Sequence, residues 1–394
     1  MPTSAGDSFV KIAAHIFQCL GFALILLFGF DAYAAPAQKI WKGNTSVWDN
    51  GITANWLSNG IASTYADGDF VMFDDTATGY TVAGTNLQPG SVFFTNSTHN
   101  YIISASTNTI GGATAVTKLG AGTLTFNGTN TFSGGLNIVA GTVAIGVANS
   151  TNSFLGTGTV TLGDSAGNNI ATLYVSAASG GTGLTNSLVV AAGTTGILTI
   201  AGNNSSINLS GSVALNNNLT LTNANTGKII NFLGTTTCAN SPPLTITSAG
   251  GNTGPNTFSG GVVIGSGGLT LANNSTKTLT LGPGNITGTG CLTNSGMGTN
   301  TTINGSLGGN IGNIIQNSAT SALILSGANS AFTNNVFINA GIMTASGATS
   351  LNAANLVTLS TGGILDMQNS LSIAGLQDGS GAGTLTNASI TAPH

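Results

Sequence analysis

The sequence predicts an all-β fold of the right-handed parallel β-helix (β-solenoid) class, with a β-rich cap at its N-terminal end. Three observations lead there. Short apolar strands recur with glycine at fixed offsets, Gly, Asn and Ser clusters separate them, and the chain is almost without charge. The block from Lys118 to Gly146 contains Leu124, Phe126, Phe132, Gly134, Gly135, Leu136, Ile138, Gly141, Val143 and Ile145. Thr257 to Leu269 aligns with Thr131 to Val143, placing Val262, Ile264 and Leu269 where Leu136, Ile138 and Val143 stand. A third, looser copy runs from Phe332 through Val336 and Ile338 to Gly341 and Met343. Such repeats mark a solenoid, in which each turn stacks only on its neighbours. The three copies are expected at equivalent positions in their coils, with the aliphatic residues inward and Gly134, Gly135 and Gly141 at corners.

Residues 1–34 read as a secretory signal. Lys11 supplies the positive region, Ile12 to Phe30 the apolar run, and Ala32 and Ala34 the small pair before cleavage at Ala35. An apolar run of this length approaches a membrane span, so an uncleaved anchor is the competing reading. Cleavage leaves no transmembrane segment and two cysteines, Cys238 and Cys291. They either pair in an oxidising compartment or serve as small fillers in the coil, and the second reading is preferred.

Residues 35–103 form the expected cap. They hold Trp41, Trp48, Trp56, Tyr65, Tyr80, Tyr101 and five of the ten aspartates. A solenoid needs such a cover, because a bare terminal rung offers unpaired backbone to other chains. The tryptophans are read as core anchors in preference to a carbohydrate-stacking platform.

Residues 104–394 form the solenoid proper, whose best repeat copy is 117–146. Strands are expected over 123–126, 136–139, 143–145, 159–162, 172–175, 187–190, 196–200 and 207–209, each short, alternating, and rich in Val, Ile, Leu and Thr. Gly and Asn between them tolerate the left-handed backbone that tight corners need. No window shows an amphipathic helix.

Charged residues are only 4% of the chain while 41% are hydrophobic, and Arg and Glu are absent. Stacking explains this. Outward side chains of successive rungs lie roughly 4.8 Å apart, and two like charges at that spacing repel by about 0.9 kcal/mol even in bulk water. Columns of Thr, Ser and Asn avoid the cost and can hydrogen-bond along the column. With net charge −4 and six lysines, nucleic acid and anionic membranes are poor partners.

The block Lys118-Leu-Gly-Ala-Gly-Thr-Leu-Thr-Phe126, followed by Asn130-Thr-Phe-Ser-Gly-Gly135 and Gly141-Thr-Val143, resembles the autotransporter-associated β-strand repeat, also called the passenger-associated transport repeat. The match is close over 117–146 and partial at 256–273 and 320–345. Trp41-Lys-Gly, Trp48-Asp and Asp67-Gly-Asp-Phe-Val-Met-Phe73 resemble the opening of large secreted proteins of that kind, and Leu371 to Leu385 resembles the spacer before a further repeat. The resemblance implies an exported passenger at a Gram-negative cell surface. Residues 275–394 contain two aromatics, Phe332 and Phe337, too few for the girdles of a translocator barrel. A Pro-Glu-Pro sorting tail is also missing. A secretion machinery separate from this chain, or a truncated or split gene after His394, is the expectation.

Catalytic machinery is hard to assemble. Between Tyr101 and Pro393 the charged residues are Lys118, Asp164, Lys228, Lys277, Asp366 and Asp378, with no His. Asp366 and Asp378 are too far apart in sequence for one evident rung, and Lys118, Asp164, Asp366 and Asp378 are each expected on the surface and dispensable. No catalytic, cofactor-binding or metal residue is assigned. The acidic cluster Asp67, Asp69, Asp74 and Asp75 has the oxygen ligands that calcium takes, but without the regular Asp/Asn ladder, so turn formation is preferred. His99 is an isolated loop histidine. The resulting expectation is a structural passenger, a stalk or scaffold that assists its own secretion. The alternative is an adhesin or glycan-binding module, so cell-surface components or glycans are the partners to consider.

Overall fold

Strand formation follows from the alternation of aliphatic residues with Thr or Asn. Leu219–Asn223, Leu244–Ser248 and Leu269–Asn273 each alternate buried and half-buried side chains, which puts Leu and Ile in the core and Thr outside. The computed structural model describes residues 37–104, 109–146, 154–175, 182–203, 206–224 and 226–387. The signal segment 1–34 and its cleavage site lie outside the described residues. No helix occurs among the described residues.

The strands form three sheets of 13, 15 and 10 strands. Between residues 160 and 303 each circuit of the chain adds a strand to each sheet in turn. Val160–Leu162, Ala171–Val175 and Thr182–Leu184 make one such coil. It pairs in parallel with Leu188–Val190, Leu198–Gly202 and Ile207–Leu209 of the next. Register partners Leu136 and Val160, Leu188 and Val213, and Val262 and Ile286 are 24, 25 and 24 residues apart, which sets the coil length. The expected parallel β-solenoid is the observed architecture.

Leu124, Phe126, Leu136, Ile138, Val143 and Ile145 all lie in the core, as do Val262, Ile264 and Leu269. Gly135 and Gly261, aligned in the first two copies, share the left-handed backbone at φ 91° and 94°. A side chain at either would meet the carbonyl of Thr159 or Asn285 on the next coil. Leu136–Ile138 and Val262–Ile264 both belong to the 13-stranded sheet, so these copies occupy the same place in the coil. The third copy does not. Its strands Val336–Ile338 and Gly341–Ala345 sit in the 15- and 10-stranded sheets, one face further round. The expectation of three equivalent positions is therefore corrected. A strand–corner–strand unit fits any two adjacent faces, and the sequence does not say which pair.

The outer faces carry the columns that stacking favours. Thr142, Thr172, Thr199 and Thr220 are register partners on four successive strands. A single Lys–Asp ion pair is present among the described residues, Lys39 with Asp69 at 3.9 Å.

At the N-terminal end, Trp56–Ser58 pairs antiparallel with Gln38–Trp41 and with Ile61–Ser63. Under these strands lie Trp41, Trp48 and Trp56, each almost fully buried, with Trp41 and Trp56 centroids 5.0 Å apart and Phe73 stacked on Phe94 at 4.6 Å. Large rings close the end of the core, as the anchor reading expected. The parallel ladder already begins here, since Phe70–Phe73 pairs with Ser91–Phe94 and then Ala115–Lys118. The same sheets therefore run through residue 103 without a break.

Candidate functional site

The charged side chains of the repeat region are dispersed. Asp366 lies in the strand Gly363–Met367 of the 10-stranded sheet and Asp378 in Gly375–Asp378 of the 15-stranded sheet, so the two do not share a face. Asp164 ties its own turn, accepting from the Ala166 amide and from Asn169.

Two of the expected surface charges are in fact buried. Lys118 is 0% exposed, and its Nζ donates to the carbonyls of Asn96, at 3.3 Å, and Gly120. Burial pulls its pKa down to about 8 despite the opposing field of Asp75. The alternation Val116-x-Lys118 places its stem inward, and one carbonyl of the preceding coil and one of its own turn replace water at its tip. Asp366 is 6% exposed, and accepts from Gln368 Nε2 at 3.2 Å and Thr386 Oγ1 at 3.4 Å. The last coil supplies that cover.

The four clustered aspartates each have donors from the protein. Asp67 accepts from Tyr65 Oη, the Gln88 amide and Asn50. Asp69 accepts from the amides of Ala37 and Ala66, and Asp74 from Thr76. Asp75 closes a loop by accepting from the amides of Ser97, Thr98 and His99. Burial works against its charge, but those amides outweigh it and pull its pKa to about 2. Among the described residues no three His, Cys, Asp or Glu groups come together as a metal site. His99 stacks on Tyr80 at 4.3 Å and lies 3.4 Å from Asp75. Cys238 is buried, which pushes its thiol up to about 12, and Cys238 and Cys291 are both free.

What the repeats build is a corner. In the first copy no strand occupies the third side of the coil, and the fully buried Phe132 fills it instead. Asn130 replaces the missing ladder: its Oδ1 accepts from the Ile110 amide at 3.0 Å and its Nδ2 donates to the Phe154 carbonyl at 2.8 Å. The third copy repeats this arrangement on a different face. Phe332 is buried, while Asn329 accepts from the Leu307 amide at 2.9 Å and donates to the Ser350 carbonyl at 3.1 Å. One amide side chain thus satisfies a donor on the coil before and an acceptor on the coil after. Sequence reading assigned Asn130 no role; the signal was an Asn close before a core Phe in both copies.

A family model described as the passenger-associated-transport-repeat matches residues 116–145 and 320–345. These are the two segments with the Asn–Phe corner. The chain carries the passenger-associated transport repeat. The segment 256–273, read from sequence as a partial copy, is not matched. There the third side is a true strand, Asn256–Phe258, paired on both edges, with Phe258 stacked on Phe232 at 4.1 Å. Neither the curated proteins nor the solved structures gave a match. The repeats and the fold together fit an autotransporter passenger-type β-helix, which suggests an exported or cell-surface protein of a Gram-negative bacterium.

Proposed function

We propose that this chain is an exported structural passenger, a stalk or scaffold at the cell surface whose folding assists its own secretion. The observation that carries the reading is the pairing pattern. Past the N-terminal cap, the strands of the three sheets pair in parallel with strands of neighbouring coils, in register with partners such as Val160 for Leu136 and Ile286 for Val262. A coil therefore needs only its predecessor as template, and stacking can advance as residues emerge from a membrane. Each Val, Leu or Ile so buried contributes roughly 1.5–3 kcal/mol of gross transfer free energy, which is lost if the coil unstacks. That free energy opposes backsliding of the chain.

The structure-bearing residues are the inward aliphatics and the two Asn–Phe corners. Protease treatment of intact cells that express the chain, with N-terminal sequencing of the accessible product, tests the proposal. The expected result is a protease-exposed chain beginning at Ala35. A chain held in the cytoplasm with Met1 intact would remove the proposal.

A further inference from the structure

We infer that the outer face of the 15-stranded sheet holds a binding groove for an uncharged, linear oligosaccharide, centred on Thr220, Thr245 and Thr247. A cavity of about 560 Å³ opens there, lined by these three threonines, the 194–198 segment, Asn217 and Asn218. Its lining has hydroxyl, amide and aliphatic side chains and no charged group, so a ligand that needs a counter-ion finds none.

Part of the lining is held by its own hydrogen bonds and part is free. Thr194 and Thr195 donate their hydroxyls to the carbonyls of Asn169 and Gly167, and Asn217 donates to those of Ala191 and Thr194. The hydroxyls of Thr220, Thr245 and Thr247 make no hydrogen bond within the described residues, and all three side chains are half-buried. They can donate and accept toward a ligand, as sugar hydroxyls require. Ile197, 58% exposed at the rim, offers an apolar surface for the C–H face of a pyranose.

The spacing points to a polymer laid along the solenoid axis. Thr199, Thr220 and Thr247 are register partners in one column, and Thr245, Thr270 and Thr293 in the next. Each column presents a hydroxyl every ~4.8 Å, close to the length of one hexose unit in an extended chain. Consecutive sugars thus meet equivalent partners on consecutive coils. The inference is independent of the stalk reading, which needs no ligand, and failure of one leaves the other standing.

The test uses the full secreted chain on an array of neutral hexose and N-acetylhexosamine hexamers, with sulfated and uronic-acid oligomers alongside, followed by calorimetry on the best neutral hexamer. A neutral hexamer is expected to bind with an affinity that does not change between low and high salt. Combining Thr220→Val, Thr245→Val and Thr247→Val should weaken it at least about tenfold, as the loss of several hydrogen bonds implies. The melting temperature should stay the same. Thr287→Val, on the outer face of the 13-stranded sheet, should bind as the unaltered chain does. Should the triple variant fail to fold, Thr245→Val alone is expected to weaken binding about threefold. The inference is overturned if no neutral hexamer binds, if only charged oligomers bind, or if a folded groove variant binds with unaltered affinity.

Discussion

Replacing Lys118 by methionine tests how the core tolerates its buried ammonium. In the fold the Lys118 pKa is about 8, against about 10.4 for an unfolded lysine, a gap worth about 3 kcal/mol. Below pH 8 both states are protonated and the folded state carries the full desolvation cost. Between pH 8 and about 10.4 the unfolded chain holds a proton that the folded chain has released, so stability rises with pH across that window. A methionine side chain at this position does not titrate. Near pH 7, Lys118→Met removes that cost but leaves the carbonyls of Asn96 and Gly120 without their donor, about 1 kcal/mol or more each. The variant should then be close to the unaltered chain or slightly more stable. By pH 10.5 its advantage should have fallen by about 3 kcal/mol, leaving it less stable. Cys238, whose thiol is pushed up to about 12, gives an opposite slope in both proteins and cancels in the difference. Denaturant unfolding followed by circular dichroism at pH 7, 8, 9 and 10.5 measures this. A difference that is flat with pH would mean the ammonium is hydrated, and the burial argument would fail.

Other expectations follow from the same geometry. Asn130→Ala should cost about 2–4 kcal/mol, because it strands the Ile110 amide and the Phe154 carbonyl, and Asn329→Ala should behave alike in thermal melts. Asp378→Ala, at an exposed position, should shift stability by no more than about 0.5 kcal/mol, and Asp164→Ala by little more than the loss of a turn contact. Thiol titration of the denatured, unreduced mature chain should find two free thiols, Cys238 and Cys291, and finding none would show that they pair.

Much of this fold was legible because period-two alternation is a local signal. Leu136, Ile138 and Val143 face inward as Thr and Asn alternate around them. Their stacking partners are other coils of the same pattern. Which face a given strand occupies was not legible, as the third repeat copy shows. Coil lengths vary with loops, and a unit of two strands and a corner is compatible with each pair of faces. Lys118 was misplaced although its alternation with Val116 marked it as inward, because the carbonyls that receive it, of Asn96 and Gly120, lie in turns just beyond strand ends. Asp366 carried no such mark, for its cover comes from the coil that follows. A buried polar column at the ends of the 15-stranded sheet's strands also escaped notice. Asn223, Ser248, Asn273, Asn294 and Gln316 line it, with Asn294 Nδ2 donating to Gln316 Oε1 at 2.7 Å. The signal was present in the recurring strand endings Leu-Thr-Leu-Thr-Asn223, Leu-Thr-Ile-Thr-Ser248 and Leu-Thr-Leu-Ala-Asn273.

Whether coil stacking assists export is tested most directly at Ile138, fully buried and in register between Lys118 and Leu162. Ile138→Val, Ile138→Ala and Ile138→Asp form a graded series, costing about 1, about 2–5 and several kcal/mol as packing is lost and then a carboxylate is buried unpaired. The measurement is the rate at which pulse-labelled chain becomes protease-accessible on intact cells. The expected result is a rate that falls in that order, with precursor accumulating for Ile138→Asp. Surface appearance of Ile138→Asp at the unaltered rate, in a chain shown to be unfolded, would contradict folding-assisted secretion.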